Sequence, residues 1–317
     1  MPVSSSKTLR RLDYFFILRP ILFIPGWTTT LAGYMAATGQ AKHWPVWNGL
    51  WYPDMMGLFI STAMLMGSGF LVNQLRDIET DRINKKLFFL YDGSVNPRIL
   101  ILQSILLSAG CLVMASFWGE RMLIVHFFGW LLIAILYNLP PFRLKDRAVT
   151  GLLANAGMGV FALAYGWALS DQSWLLFLIT GFPYFIFNGA LCVLTMIPDT
   201  EGDAATSKKT FTVRYGVTFS MYTAFVLFCI AAITAFILDQ YVLLVVLVSV
   251  IPMFVFMVIR KTKADAIRAL KFSIFFFTSL VAMYFPFYII LLIFLFVCTR
   301  WYFKTRFDFD YPNLQGR

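Results

Sequence analysis

Runs of about twenty mostly apolar residues follow one another along the chain, the length that crosses a bilayer core as a helix. Of the 317 residues 60% are hydrophobic and only 13% are charged, too little charge to cover a soluble core of this size. In lipid every backbone amide must be satisfied internally, which leaves helices or a closed β-barrel. The runs are continuously apolar rather than alternating, so an all-α, polytopic membrane protein is expected. Candidate spans fall at roughly 15–37, 53–74, 98–118, 121–138, 149–170, 173–198, 217–238, 240–259 and 272–299, about nine in all. The last is overlong and contains Pro286, which predicts a kink or tilt. One transmembrane domain is expected over 1–317, with an amino-terminal tail at 1–13 and a carboxyl tail at 301–317. The first span is long enough to stay in the membrane, so no cleavable signal is expected.

A net charge of +10 raises the question of nucleic acid, and its distribution excludes that class. The basic residues lie in short connectors between apolar runs, where they specify topology. With the amino terminus inside, the inner connectors carry Arg76, Arg82, Lys85, Lys86, Arg143, Lys145, Arg147, Lys208 and Lys209, and the outer ones only Lys42 and Arg121. The amino terminus is therefore expected in the cytoplasm of a cell-membrane protein. Arg300, Lys304 and Arg306 conflict with the outer carboxyl end that nine spans imply. Cys111, Cys192, Cys229 and Cys298 lack metal-ligand spacing and read as small buried hydrophobes. His43 and His126 have no partner at ligand spacing and are assigned no role.

Three polar segments share the inner face: "NQLRDIETDRINKK" after span 2, "YNLPPFRLKDR" after span 4 and "DTEGDAATSKKT" after span 6. Asn73, Asp77 and Asp81 are spaced i, i+4, i+8, so a helix stacks them on one face. Like charges there repel unless cations intervene. Asp199 and Asp203 repeat the spacing, whereas Glu79 and Glu201 fall off the face and read as solvated. Two sets of hard oxygens suit Mg²⁺, which keeps part of its water and shares its remaining positions with substrate phosphates. Arg76, Arg82, Lys85, Lys86, Lys208 and Lys209 add charge for an anion, although Lys85 and Lys86 serve equally well as topological anchors. Arg19, inside span 1 beside Pro20, is either a snorkelling residue or a cation lining a pocket. A diphosphate whose remainder lives in lipid is most simply a prenyl diphosphate. Its allylic C–O bond ionises once the leaving group is neutralised, and aromatic faces, Tyr137 among them, stabilise the carbocation.

These segments resemble the UbiA superfamily of intramembrane prenyltransferases. The family's NDxxDxxxD motif aligns with Asn73-Gln74-Leu75-Arg76-Asp77-Ile78-Glu79-Thr80-Asp81, and its DxxxD motif with "DTEGD" followed by "KKTFTVRYG". "YNLPPFRLK" is similar to the family's Tyr-Ser-x-Pro-Pro-x-Arg-x-Lys segment, and "LRP" at 18–20 to the start of its first helix. The likeness covers spans 1 to 7. It implies about nine helices around a central cavity under cytoplasmic cap loops. It implies Mg²⁺ held by Asn73, Asp77, Asp81, Asp199 and Asp203, with nearby Lys and Arg on the diphosphate. Tyr137, Arg143 and Lys145 fall on its third segment. Three departures stand out: Gln74 replaces an Asp and weakens one possible ligand, Asn138 replaces a Ser, and "KKLFFLYDG" replaces an Arg-Pro-rich stretch.

The expected function is Mg²⁺-dependent transfer of a polyprenyl group to a lipophilic acceptor within the membrane lipid. A hydroxybenzoate or quinone precursor is the first choice of acceptor, and a prenylated glycerol phosphate or a tetrapyrrole the alternatives. The rival class is an ion-coupled transporter, which calls for carboxylates at the midplane and paired broken helices. Here the acids gather at one boundary.

Overall fold

The computed structural model describes residues 7–42, 53–83, 89–90 and 93–312. Helix α1 (Lys7–Phe16) breaks before a 3₁₀ turn (Pro20–Leu22), from which α2 (Phe23–Ala37) continues. Next come α3 (Pro53–Arg76), the short α4 (Ile78–Ile83), α5 (Pro97–Ser116) and α6 (Glu120–Trp130). Helix α6 passes into a π-helical turn (Leu131–Leu136). Helices α7 (Ala148–Trp167) and α8 (Trp174–Thr195) precede two short helices, α9 (Thr200–Ala205) and α10 (Phe211–Tyr215). The chain ends with α11 (Val217–Ile237), α12 (Tyr241–Arg260), α13 (Lys263–Tyr284) and α14 (Pro286–Phe307).

Among the described residues, 9 helical segments are long and apolar enough to cross a membrane, with α1 and α2 counted as one. Their outer faces are bare hydrocarbon, with Leu175 of α8 and Ile290 of α14 about 70% exposed, a surface only lipid covers favourably. The chain is a multi-pass membrane protein.

These nine are not the expected nine: they leave out residues 120–136 and take two helices from the expected last span. Residues 120–136 are divided between α6 and the π turn, yet they still carry the chain from the Ser116 end back to Tyr137. The expected overlong span at 272–299 is two full-length helices, α13 and α14, hinged at Phe285. Pro286 is the reason: it lacks an N–H for the preceding turn and suits the first position of a new helix.

Helix α14 therefore doubles back. The Phe285 ring lies 6.4 Å from Tyr34 near the far end of α2. At the opposite end, Arg306 Nη2 meets Asp13 Oδ2 at 3.0 Å and Tyr302 donates to Asp13 Oδ1 at 2.6 Å. The basic tail thus sits on the side of the amino terminus, which removes the conflict left by an outer end.

Backbones approach closely where α2 crosses α7. A Cβ at Gly33 would collide with the Leu163 carbonyl, and one at Gly166 with the Thr30 carbonyl. Small residues supply the contact that apolar side chains cannot drive in lipid. This packing carries the polar segments after α3, the π turn and α8 to one end of the bundle.

Candidate active site

The first acidic segment stays helical as it leaves α3. Asp77 N–H donates to the Asn73 carbonyl at 3.0 Å and Asp81 N–H to the Asp77 carbonyl at 2.8 Å, so the three side chains share a face. Asp77 and Asp81 are buried. The second acidic segment is the end of α8 and the turn of α9, where Asp203 is buried and Asp199 half-buried. A hydroxyl pair, Thr80 and Thr206 at 3.1 Å, joins the two segments. The loop after the π turn is tied through its backbone to the connection between α9 and α10, with Lys209 N–H donating to the Asp146 carbonyl at 2.9 Å.

The polar groups meet at Asp77. Lys145 Nζ donates to its Oδ2 at 2.7 Å and Lys208 Nζ to its Oδ1 at 2.9 Å. Lys208 also lies 3.8 Å from Asp203 Oδ1, so one ammonium serves both acidic segments. Burial on its own would raise the Asp77 carboxyl, but the two ammonium groups outweigh it and hold the pKa below the usual carboxylate range. Burial, together with neighbouring Lys208, lowers the Lys145 pKa despite its carboxylate partner. Burial, then Cys192 and the carboxylates Asp77, Asp203 and Asp199, push the Tyr137 hydroxyl up. Tyr137 thus stands within the field of both acidic segments.

Arg19 joins from the kink between α1 and α2. Pro20 disfavours the right-handed region for the residue before it, and Arg19 adopts the left-handed conformation at φ 56°. That conformation costs a non-glycine residue about 1–3 kcal/mol. It brings Arg19 Nη2 to 3.4 Å from Asp81 Oδ2. Of the two sequence readings, a cation in the site is the one this contact favours.

The other described basic candidates are exposed or paired elsewhere. Arg76 is exposed at the end of α3, and Arg82 is exposed and 3.9 Å from Glu79. Arg143 pairs with Asp146 at 2.8 Å, and Lys209 is exposed. Lys85 and Lys86 lie outside the described residues, as does His43. His126 is buried in α6, bonded to the Met122 carbonyl. Glu201 faces solvent against Lys263 at 2.6 Å.

Two residues outside the expected site set are built into its frame. Gln74 does not face the carboxylates: its Nε2 donates to the Ile17 carbonyl at 2.9 Å and to the Phe70 carbonyl at 3.1 Å. An Asp could not make those bonds, so Gln74 is a tie to the α1–α2 kink and not a weakened ligand. Asn138, 1% exposed, accepts from Asn73 at 2.9 Å and from Lys145 at 3.1 Å, and donates to the Ile133 carbonyl at 2.7 Å. Its replacement of Ser was the only signal in the sequence.

Among the described residues, no three His, Cys, Asp or Glu side chains come close enough to enclose a metal ion unaided. The arrangement is a buried cluster of carboxylates bridged by ammonium groups. It can exchange those cations for a divalent ion, and the freed ammonium groups can turn to a polyanion.

The sequence matches the UbiA prenyltransferase family over residues 26–281. It is 30% identical to homogentisate phytyltransferase from a Synechocystis species over 169 residues, 49% of this chain and 53% of that protein. It is 26% identical to the probable homogentisate phytyltransferase 2, chloroplastic, of Oryza sativa over 179 residues, 53% of this chain and 47% of that protein. The chain thus spans about half the length of the curated relatives it matches. Its fold is similar to a UbiA homolog from Archaeoglobus fulgidus bound to DMAPP and Mg²⁺, with a TM-score of 0.66. That match has 18% identity and covers 86% of this chain and 99% of the other.

Proposed function

The chain belongs to the UbiA prenyltransferase family, and from that premise we propose that it moves a polyprenyl group from a prenyl diphosphate to a lipophilic aromatic acceptor in a Mg²⁺-dependent reaction. The observation that carries this reading is the Lys208 ammonium bridging Asp77 and Asp203, which come from separate acidic segments. A cation is already required at that point, the surrounding donors are hard oxygens, and the site is buried.

Those residues fit Mg²⁺. Asn73, Asp77 and Asp81 from one segment and Asp199 and Asp203 from the other would hold it, the coordination they leave open falling to water and phosphate oxygens. Bound there, Mg²⁺ would neutralise the diphosphate and so ease ionisation of the allylic C–O bond. Lys145 and Lys208, drawn off Asp77, hold the leaving diphosphate as it takes the bonding electron pair. Arg19, against Asp81, supplies a third positive group. Burial keeps water from capturing the carbocation, and the Tyr137 ring supplies an electron-rich face near it.

The acceptor is inferred from the relatives, both homogentisate phytyltransferases by name. The concentration of Lys and Arg on the site's side supports a cytoplasmic orientation for it. The test is incubation of purified protein with labelled prenyl diphosphates and a panel of aromatic, glycerol phosphate and tetrapyrrole acceptors, with and without EDTA. Labelled aromatic product that vanishes with EDTA is the expected result. Turnover indifferent to EDTA overturns the mechanism, and label on another acceptor overturns the acceptor class.

A further inference from the structure

We propose that Asn138 is a positioning residue that sets which edge of the Asn73 amide is presented to a bound divalent cation. The inference rests on the reading of Asn73 as a cation ligand and goes beyond it, since Asn138 lies behind the carboxylate face.

Asn138 main-chain N–H donates to the Ile135 carbonyl at 3.2 Å, while its side-chain Nδ2 reaches the Ile133 carbonyl at 2.7 Å. A carbonyl can only accept, so that bond fixes the amide with Nδ2 toward the π turn. Its Oδ1 is fixed a second time by Lys145, whose ammonium can only donate, at 3.1 Å. With both edges of Asn138 determined, the group facing its Oδ1 from Asn73 must be a donor. Asn73 Nδ2 occupies that place at 2.9 Å. The other edge of the same planar amide is Oδ1, the only side-chain atom of Asn73 able to bind a cation. A side-chain amide that could flip would offer nitrogen half the time; here it cannot.

A serine at this position would not impose the same order, because a hydroxyl both donates and accepts. Asn138 therefore makes the orientation one-way, and does so with a residue that touches neither cation nor substrate. The same Oδ1 also holds Lys145 beside Asp77, so ligand orientation and ammonium placement share one anchor.

The experiment measures Mn²⁺ bound to the purified full chain by electron paramagnetic resonance, without prenyl diphosphate and therefore without turnover. Wild type and Asp77→Asn define the site. Asn138→Ala is expected to weaken Mn²⁺ binding about 10- to 100-fold, the usual effect of losing a partner that orients a ligand. The double variant Asn73→Ala with Asn138→Ala is expected to bind no worse than Asn73→Ala alone, because the two act as one unit. Losses that multiply in the double variant, or wild-type affinity in folded Asn138→Ala, overturn the proposal while leaving the metal reading intact. If wild type shows no Mn²⁺ binding sensitive to Asp77→Asn, the metal reading fails and this inference falls with it. Should Asn138→Ala unfold, Asn138→Ser takes its place in the same cycle with the same expected coupling.

Discussion

Asp77 and Lys208 are 131 residues apart in the chain and 2.9 Å apart in space. Their pairing, with Lys208 also 3.8 Å from Asp203, links the two acidic segments. Removing Asp77 should therefore damage both the cation site and the anchor of two ammonium groups. For Asp77→Asn and Asp203→Asn, Mg²⁺-dependent release of diphosphate is expected to fall by about 100-fold or more, the scale of losing a preorganised charge in a dry site. Glu79→Gln, at an exposed position, should stay near wild type. Counting labelled diphosphate released per minute checks all three, and near-normal rates in Asp77→Asn would sink the site.

Acid should weaken the fold through this same carboxylate. The folded pKa of Asp77 lies below the ordinary aspartate value of 3.8, so its contribution is complete above that pH and is lost as the pH falls through the folded value. Wild type is expected to melt higher than Asp77→Asn near neutrality, with the gap closing below about pH 4. Melting curves of the solubilised pair across pH 3–7 test this; a gap independent of pH refutes it.

Alkali acts on the partner. The Lys145 pKa is lowered by burial, so its charge is lost before that of an ordinary lysine at 10.5. Binding of a non-reactive prenyl diphosphate analogue is expected to weaken on the approach to that pH. Lys145→Gln should bind more weakly throughout and lose that component of the pH dependence. Calorimetric titration of both proteins at increasing pH separates the two outcomes.

The doubling back of α14 has a topological consequence. Arg10→Cys and Asp308→Cys, each in a background lacking the native cysteines, should react with an impermeant thiol reagent from the same side of sealed vesicles. Labelling from opposite sides would mean that α13 and α14 do not form a hairpin.

The buried contact between Arg306 and Asp13 should be costly to break from one side only. Arg306→Met leaves an unpaired buried carboxylate and is expected to destabilise by about 3–5 kcal/mol. Adding Asp13→Asn should return part of that loss, which melting curves of the single and double variants would reveal.

Much of this was legible in the chain because lipid leaves few choices. Span length follows from bilayer thickness, and the Asn73, Asp77, Asp81 face follows from helical spacing. Charge was legible as quantity but not as direction: Arg76 and Lys145 look alike in sequence, yet one is exposed and the other buried against Asp77. Gln74 looked like a defective ligand because the carbonyl it serves, on Ile17, lies 57 residues earlier. Pro286 suggested a bend within one helix, since proline is tolerated inside transmembrane helices. The choice of a full turn over a bend is held by a contact at the far end, between residues 293 apart, which local sequence does not display.

That same contact sets an order of assembly. Among the described residues, the groups bonded to the Asp13 carboxylate come from Tyr302 and Arg306, 289 and 293 residues further along, so they are made only after every helix between. Until they arrive, an inserted chain carries an unanswered carboxylate at its first helix, exposed to whatever surveys incomplete membrane proteins. A chain ending before Tyr302 would have every acidic and basic group of the site and yet should remain protease-sensitive, so resistance gained abruptly as nascent chains pass Arg306 would mark the moment the bundle closes.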